Sequence, residues 1–148
     1  MAACDPTNEC PELRVSMPFK YVSCGVLVDS AGKILISTRP KGKDMEGLWE
    51  FPGGKINESE VPEVALAREL QEELGIKTSP SCMYPLTFVS HRYENFHLIM
   101  YVFVCRKWLG TPTPLEGQEL KWIKKNELYN FDMPPADIGI LAAIMDMS

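Results

Sequence analysis

Between Gly54 and Ile76 the chain sets an acidic stripe beside an apolar one on what reads as a single helix. Glu69, Glu72 and Glu73 are spaced i, i+3, i+4, which at about 100° per residue puts the carboxylates within one stripe facing one volume. Leu66, Ala67, Leu70 and Leu74 fall on the adjoining stripe, so one side of the helix packs on a sheet while the acidic side looks into a cleft. Ser59 reads as the N-cap, Pro62 falls in the first turn, and Gly75 stands where a left-handed C-cap would end the element. These signals predict a helix over residues 60–74.

Like charges this close raise one another's pKa unless a cation sits among them. Hard oxygen ligands suit Mg²⁺, with Mn²⁺ as a substitute, in an octahedral site completed by water and substrate phosphates. Arg68 lies one turn before Glu72, where an i, i+4 ion pair can orient a carboxylate. Acidic helical faces are more often simply solvated, so the spacing by itself leaves both readings open. The net charge of −5 and the absence of a basic run argue against polymeric nucleic acid as a partner. A small polyanion fits if a cation offsets the carboxylates.

The 148 residues make one domain of ordinary size over 18–148, preceded by a loose, proline-bearing tail over 1–17. Strands are predicted over 21–28 and 33–38 as a hairpin about the turn Asp29-Ser30-Ala31-Gly32. A polar loop over 39–47 leads to the short segment Leu48-Trp49-Glu50-Phe51 and to Pro52-Gly53-Gly54. Further strands are predicted over 85–90 and 97–108, with a turn near Glu94 and Asn95, and over 119–123. In the stretch 135–147, Ile138, Leu141, Ala142 and Met145 recur at helical spacing and would cover a sheet face. Five scattered cysteines without a C-x-x-C pair signal neither disulfides nor zinc and fit a reducing cytoplasm. No signal peptide or membrane span is read.

The whole segment carries a resemblance. Gly54, five residues, Glu60, seven residues, then Arg68-Glu69-Leu70-Gln71-Glu72-Glu73-Leu74-Gly75-Ile76 matches the Nudix box at every specified position, so the chain is identified as a member of that family. The resemblance implies an α/β (α+β) Nudix fold, a mixed β-sheet sandwiched between α-helices, and hydrolysis of a nucleoside diphosphate linked to another group. It implies Glu69, Glu72 and Glu73 as metal-binding glutamates, the Gly54 carbonyl as a further metal ligand, Arg68 as the arginine that orients them, and a largely structural Glu60.

Outside the box the chain resembles the MutT-like branch, which converts oxidised guanine nucleoside triphosphates to monophosphates and pyrophosphate. The pieces are Arg39, Trp49-Glu50-Phe51-Pro52-Gly53-Gly54-Lys55, Leu115-Glu116-Gly117-Gln118 and Pro134-Pro135-Ala136-Asp137. By that resemblance Arg39 and Lys55 contact phosphates, Phe51 lines the base pocket, and Glu116 assists the metal or the attacking water. The expected enzyme is a monomeric, Mg²⁺-dependent 8-oxo-dGTP diphosphatase acting on a small-molecule nucleoside triphosphate, in nucleotide-pool sanitation. Glu116 and the box glutamates all stand as candidates for the general base.

Asp137 departs from the branch, whose best-known bacterial member has asparagine there: an amide both donates and accepts, whereas a carboxylate only accepts. It could still accept from base NH groups, so hydrolysis of CTP or 5-methyl-dCTP is the alternative, and a plain helix N-cap is another reading of Asp137. Phe96 stands where that member has an arginine, and Tyr93 lies near a tyrosine position of dinucleoside polyphosphate hydrolases. A Nudix-fold module that binds a nucleotide without cleaving it is a further alternative, although such modules usually lose box glutamates.

Overall fold

The computed structural model describes residues 5–7 and 17–147, so the loose tail expected over 1–17 lies mostly outside the described residues. Strand β1 (Phe19–Leu27) runs parallel to β6 (His97–Cys105) and antiparallel to β4 (Gly53–Lys55), and β5 (Met83–Arg92) pairs antiparallel with β6. These make a mixed four-stranded sheet, β4-β1-β6-β5. A second, three-stranded sheet has the order β3-β2-β7, with β3 at Trp49–Glu50, β2 at Ile34–Thr38 and β7 at Leu120–Ile123.

The predicted hairpin is therefore only half formed. Its turn exists: the Gly32 N–H donates to the Asp29 carbonyl, and the Asp29 carboxylate accepts from the N–H groups of Ala31 and Lys33. Past the Val28–Ile34 bridge, however, β1 and β2 part into different sheets. Residues 24–27 and 34–37 are buried without alternation, the mark of strands covered on both faces and flanked by partners of their own.

Alternate side chains feed two clusters. Cys24, Val26, Ile34, Ile36, Met100, Val102 and Val104 pack with helix α2 (Pro135–Met145), whereas Leu27, Leu35 and Phe103 pack with helix α1 (Pro62–Leu74). Both sheets thus lie between the two helices. The apolar stripe of α1 buries Leu66, Leu70 and Leu74 as the spacing predicts. Gly25 on β1 gives that helix room, since a Cβ there would meet Leu66 at 3.4 Å.

The ends of α1 divide. Gly75 closes it in the left-handed region at φ 68°, with its N–H donating to the Gln71 carbonyl. The start is later than expected, because Pro62 holds Val61 extended and makes Val61 the N-cap. Ser59 is no cap; it sits upstream at φ 66°.

In α2 the inward face is Ala136, Asp137, Ile140, Leu141 and Ile144, so only Leu141 of the expected stripe is buried, and Ile138 is 51% exposed. The helix is apolar nearly all round, so its period does not choose a face; the docking of its first turn does. Strand β6 ends at Cys105, where its register with Leu27 of β1 runs out, and Trp108 leaves the strand to stack on Trp122. The turn expected near Glu94 is present, with the Tyr93 N–H donating to the Phe96 carbonyl. Cys24, Cys82 and Cys105 are free, and among the described residues no helix is long and apolar enough to cross a membrane.

Truncating Leu66, fully buried on the sheet-facing side of α1, leaves a cavity in the cluster it shares with Leu27, Leu35, Leu70 and Phe103. Leu66→Ala is expected to destabilise the fold by about 3 kcal/mol in urea denaturation.

Candidate active site

The paired glycines make the site possible. A Cβ at Gly53, whose φ is 151°, would collide with the Ser23 carbonyl oxygen, so only glycine lets β4 lie this closely on β1. A Cβ at Gly54 would stand 2.5 Å from the Glu69 carboxyl carbon. The Glu69 carboxylate therefore rests directly on bare backbone, and the Glu73 Oε2 accepts the Gly53 N–H at 3.3 Å.

Arg68 organises the surrounding carboxylates. Its Nε and Nη2 donate to the two oxygens of Glu60, at 2.9 Å each, a bidentate pair. Its Nη1 donates to Glu69 at 2.9 Å and to Glu72 at 3.3 Å, and Nη2 also reaches the Lys55 carbonyl at 2.9 Å. The Arg68 hydrogen bonds, helped by the Asn57 N–H, hold the Glu60 carboxyl down at about 2.

A cavity of about 500 Å³ opens beside this helix. Glu69 and Glu73 line its acidic end with Gly53, Gly54, Glu116 and Gln118. Glu72 does not line it: 56% exposed, it is drawn aside by Arg68, so the expectation that all the box carboxylates face one volume holds for Glu69 and Glu73. The reason is angular, for Glu73 lies a full turn beyond Glu69 whereas Glu72 falls on the far side of that line, next to Arg68. Among the described residues no His, Cys, Asp and Glu side chains are gathered into a ready-made ion cage.

Burial first, then the charges of Glu69, Glu116 and Glu50, push the Glu73 carboxyl up to about 9. That environment fits a divalent cation, because positive charge placed there relieves the repulsion that otherwise keeps a proton on Glu73. The bare backbone at Gly54, against which a carboxylate lies, fits it too.

Glu116 reaches the cavity because its loop caps α1. The Thr113 and Leu115 N–H groups donate to the carbonyls of Leu74 and Glu73, filling acceptors that a helix end leaves open. Gln118 locks the loop: its Nε2 donates to the Glu73 carbonyl at 3.0 Å and its Oε1 accepts the Glu116 N–H at 2.8 Å. The sequence motif contained Gln118 but gave it no role; a buried amide two residues from a loop carboxylate is the signal that could have found it.

Arg39 and Lys55 both line the cavity. Arg39 is engaged already, donating to Glu50 at 2.8 Å and to the Asp44 carbonyl at 2.7 Å. Glu50 is a site residue that the sequence motifs did not single out; burial raises its pKa, against the pull of Arg39.

The other end of the cavity is aromatic. Phe51, 3% exposed, belongs both to the core and to the lining. Phe96 stacks on Tyr93 with centroids 5.0 Å apart and carries the Lys20 ammonium 4.1 Å above its ring. Asp137 is no N-cap, since Pro134 holds that position; its Oδ2 crosses instead to accept the Phe51 N–H at 3.1 Å. Burial above all, with Glu50 adding and the Phe51 N–H and Arg39 opposing, raises the Asp137 carboxyl to about 7.

A family model described as a NUDIX domain matches residues 23–143. An 8-oxo-dGTP diphosphatase of Haemophilus influenzae is 31% identical over 125 residues, covering 84% of this chain and 90% of the relative. A CTP pyrophosphohydrolase of Escherichia coli is 36% identical over 121 residues, covering 80% and 87%. A solved structure from work on MutT of Aliivibrio salmonicida and Vibrio cholerae superposes with a TM-score of 0.73 at 29% identity, covering 86% of this chain and 97% of that one.

The Arg68–Glu60 clamp should be visible in acid. With the Glu60 carboxyl at about 2 against an ordinary 4.5, its stabilising contribution is complete above about 4.5 and is lost as pH falls towards about 2. In melting curves across that window, the gap in Tm between wild type and Glu60→Gln is expected to close on acidification; a constant gap would contradict the clamp.

Proposed function

The chain belongs to the Nudix family, and from that premise we propose that it is a Mg²⁺-dependent nucleoside triphosphate pyrophosphohydrolase whose preferred substrate is 8-oxo-dGTP, cleaved to the monophosphate and pyrophosphate. The carrying observation is a cavity with two unlike ends: carboxylates against bare glycine backbone at one, and Phe51, Phe96 and Asp137 at the other. A triphosphate joined to a base has the same two-ended chemistry. The matches to 8-oxo-dGTP diphosphatases support the oxidised purine as that base.

Glu69, Glu73, Glu116 and the Gly54 carbonyl would hold the metal from the cavity, and Glu72 would join them on leaving Arg68. Mg²⁺ retains several waters and needs few protein ligands, so an open set of carboxylates suits it better than a closed cage. Bound there, it supplies neutralisation of phosphate charge and a more acidic coordinated water.

The protein's own part is to position. Arg68 fixes Glu69 and Glu72, the Gly53 N–H fixes Glu73, and Gln118 holds the Glu116 loop on the end of the helix. Lys55 and Arg39 face the phosphates, Arg39 exchanging Glu50 for a phosphate oxygen. Glu116 and the box carboxylates stand as candidates to take the proton from the attacking water, and of these Glu69, Glu73 and Glu116 line the acidic end.

Asp137 favours a second reading. As a carboxylate it accepts from an amino group, which suits the cytosine of CTP or 5-methyl-dCTP.

Pyrophosphate release is expected to require Mg²⁺, to stop with a chelator, and to fall at least about a hundredfold in Glu69→Gln, Glu72→Gln and Glu73→Gln. Unchanged turnover in those variants would refute the metal assignment. Across 8-oxo-dGTP, dGTP, CTP and 5-methyl-dCTP, kcat/KM should be highest for the oxidised purine; a value no better than for dGTP would overturn the sanitising role, and a higher value for the pyrimidines would establish the second reading.

A further inference from the structure

Half of one sheet face has no covering layer. In the four-stranded sheet, Phe19, Tyr21 and Ser23 of β1 pair in register with His97, Ile99 and Tyr101 of β6, which pair in turn with Arg92, Ser90 and Phe88 of β5. Paired residues share a face, so these side chains form three rows on the α1 side of the sheet. Val22, Leu98 and Met100 alternate with them and line the cavity, which therefore opens on the opposite side.

Helix α1 covers only one end of this face. The Ser23 hydroxyl donates to the Pro62 carbonyl at 2.8 Å, which sets the first turn of the helix over the Ser23–Tyr101–Phe88 row, and Leu66 then lies against Gly25. Because Pro62 starts the helix no earlier, it runs away from the other two rows and leaves them bare. Phe19 is 57% exposed, Tyr21 46% and Phe88 66%. Phe19 rests against Tyr21 and His97, with ring centroids 6.2 and 5.4 Å away, so the exposed rings are contiguous. A contiguous apolar patch rimmed by polar groups marks an interaction site.

The charges at the two ends of the patch identify its occupant. Arg92 stands at one end, in the row of His97 and Phe19; Glu63 stands at the other, in the first turn of α1. Among the described residues neither forms an ion pair. A base at one end, an acid at the other and rings between them are complementary to themselves under a two-fold rotation about the middle row. We propose that this face binds a second copy of the chain, the two sheets stacked face to face with Arg92 of each copy against Glu63 of the other. Stacked sheets lie about 10 Å apart, so the second sheet occupies the layer that α1 leaves open and its Arg92 meets the first turn of the helix. Two polar groups inside the patch are already paired, the Ser90 hydroxyl lying 2.6 Å from His97 Nε2, so covering them strands neither. The monomer expected from the resemblance would leave these rings in water.

Sedimentation equilibrium of the whole chain tests the arrangement. The weight-average mass should rise from that of one chain towards that of two between about 1 and about 200 μM. Phe88→Ser should remain a single chain over the same range. Arg92→Glu and Glu63→Arg should each weaken association by about tenfold or more, since each sets two like-charged pairs across the axis.

Mixing the two charge variants decides the matter. In a dimer of one Arg92→Glu chain with one Glu63→Arg chain, both contacts are again between opposite charges, so two variants that fail to associate alone should associate with each other. The mixture is also the folding control, because misfolded chains would not rescue one another. A wild type that stays single at every concentration leaves the face to another occupant and overturns the proposal. Association kept by Phe88→Ser, or charge variants that the mixture does not rescue, overturns it as well. No arm of the test needs turnover, so failure of the hydrolase reading is registered separately.

Discussion

Arg68 is the contact on which the acidic half of this protein depends. One guanidinium binds Glu60 with two parallel hydrogen bonds, Glu69 and Glu72 with its remaining nitrogen, and the Lys55 carbonyl as well. It therefore joins the loop before α1, the helix itself and the end of β4 through a group that cannot lose its charge. Without a fixed cation among them, these carboxylates would repel one another apart, and neither Glu69 nor the β4 backbone would have a defined place. A lysine could neutralise the charge but not hold this many partners, because an ammonium lacks the planar fork.

The glycines do the complementary work by subtraction. Gly53 and Gly54 let a strand and a carboxylate approach backbone at distances that any side chain would forbid. Helix α1 supplies the cavity wall, the Gly53–Gly54 strand its floor, and the loop that caps the helix brings Glu116 to the rim. Capping and the placing of Glu116 are here one structural event: satisfying the last carbonyls of α1 is what carries Glu116 to the acidic end.

Glu50 couples the two ends. Its charge raises both Glu73 at the acidic end and Asp137 at the aromatic end, and Arg39 is its partner. Drawing Arg39 away from Glu50 would alter the field at both ends together.

The sequence determined α1, its buried leucines, its glycine stop and the family to which the chain belongs, because a helix face is set by neighbours three and four residues apart. It also marked Gly54, Glu69, Glu73, Phe51, Lys55, Arg39, Glu116 and Asp137 as candidates, and one cavity gathers them. It did not reveal that β1 and β2 part into two sheets, because strands buried on both faces carry no alternation from which to read a partner. Nor did it reveal the late start of α1, the inward face of the uniformly apolar α2, or the role of Glu50. Only the tertiary structure decided which carboxylates share a cavity and which are drawn to Arg68, and burial above all, with Glu50 adding, shifted Asp137 towards neutral pH. Those outcomes depend on distances between residues far apart in the chain, and on the water that packing removes from around them.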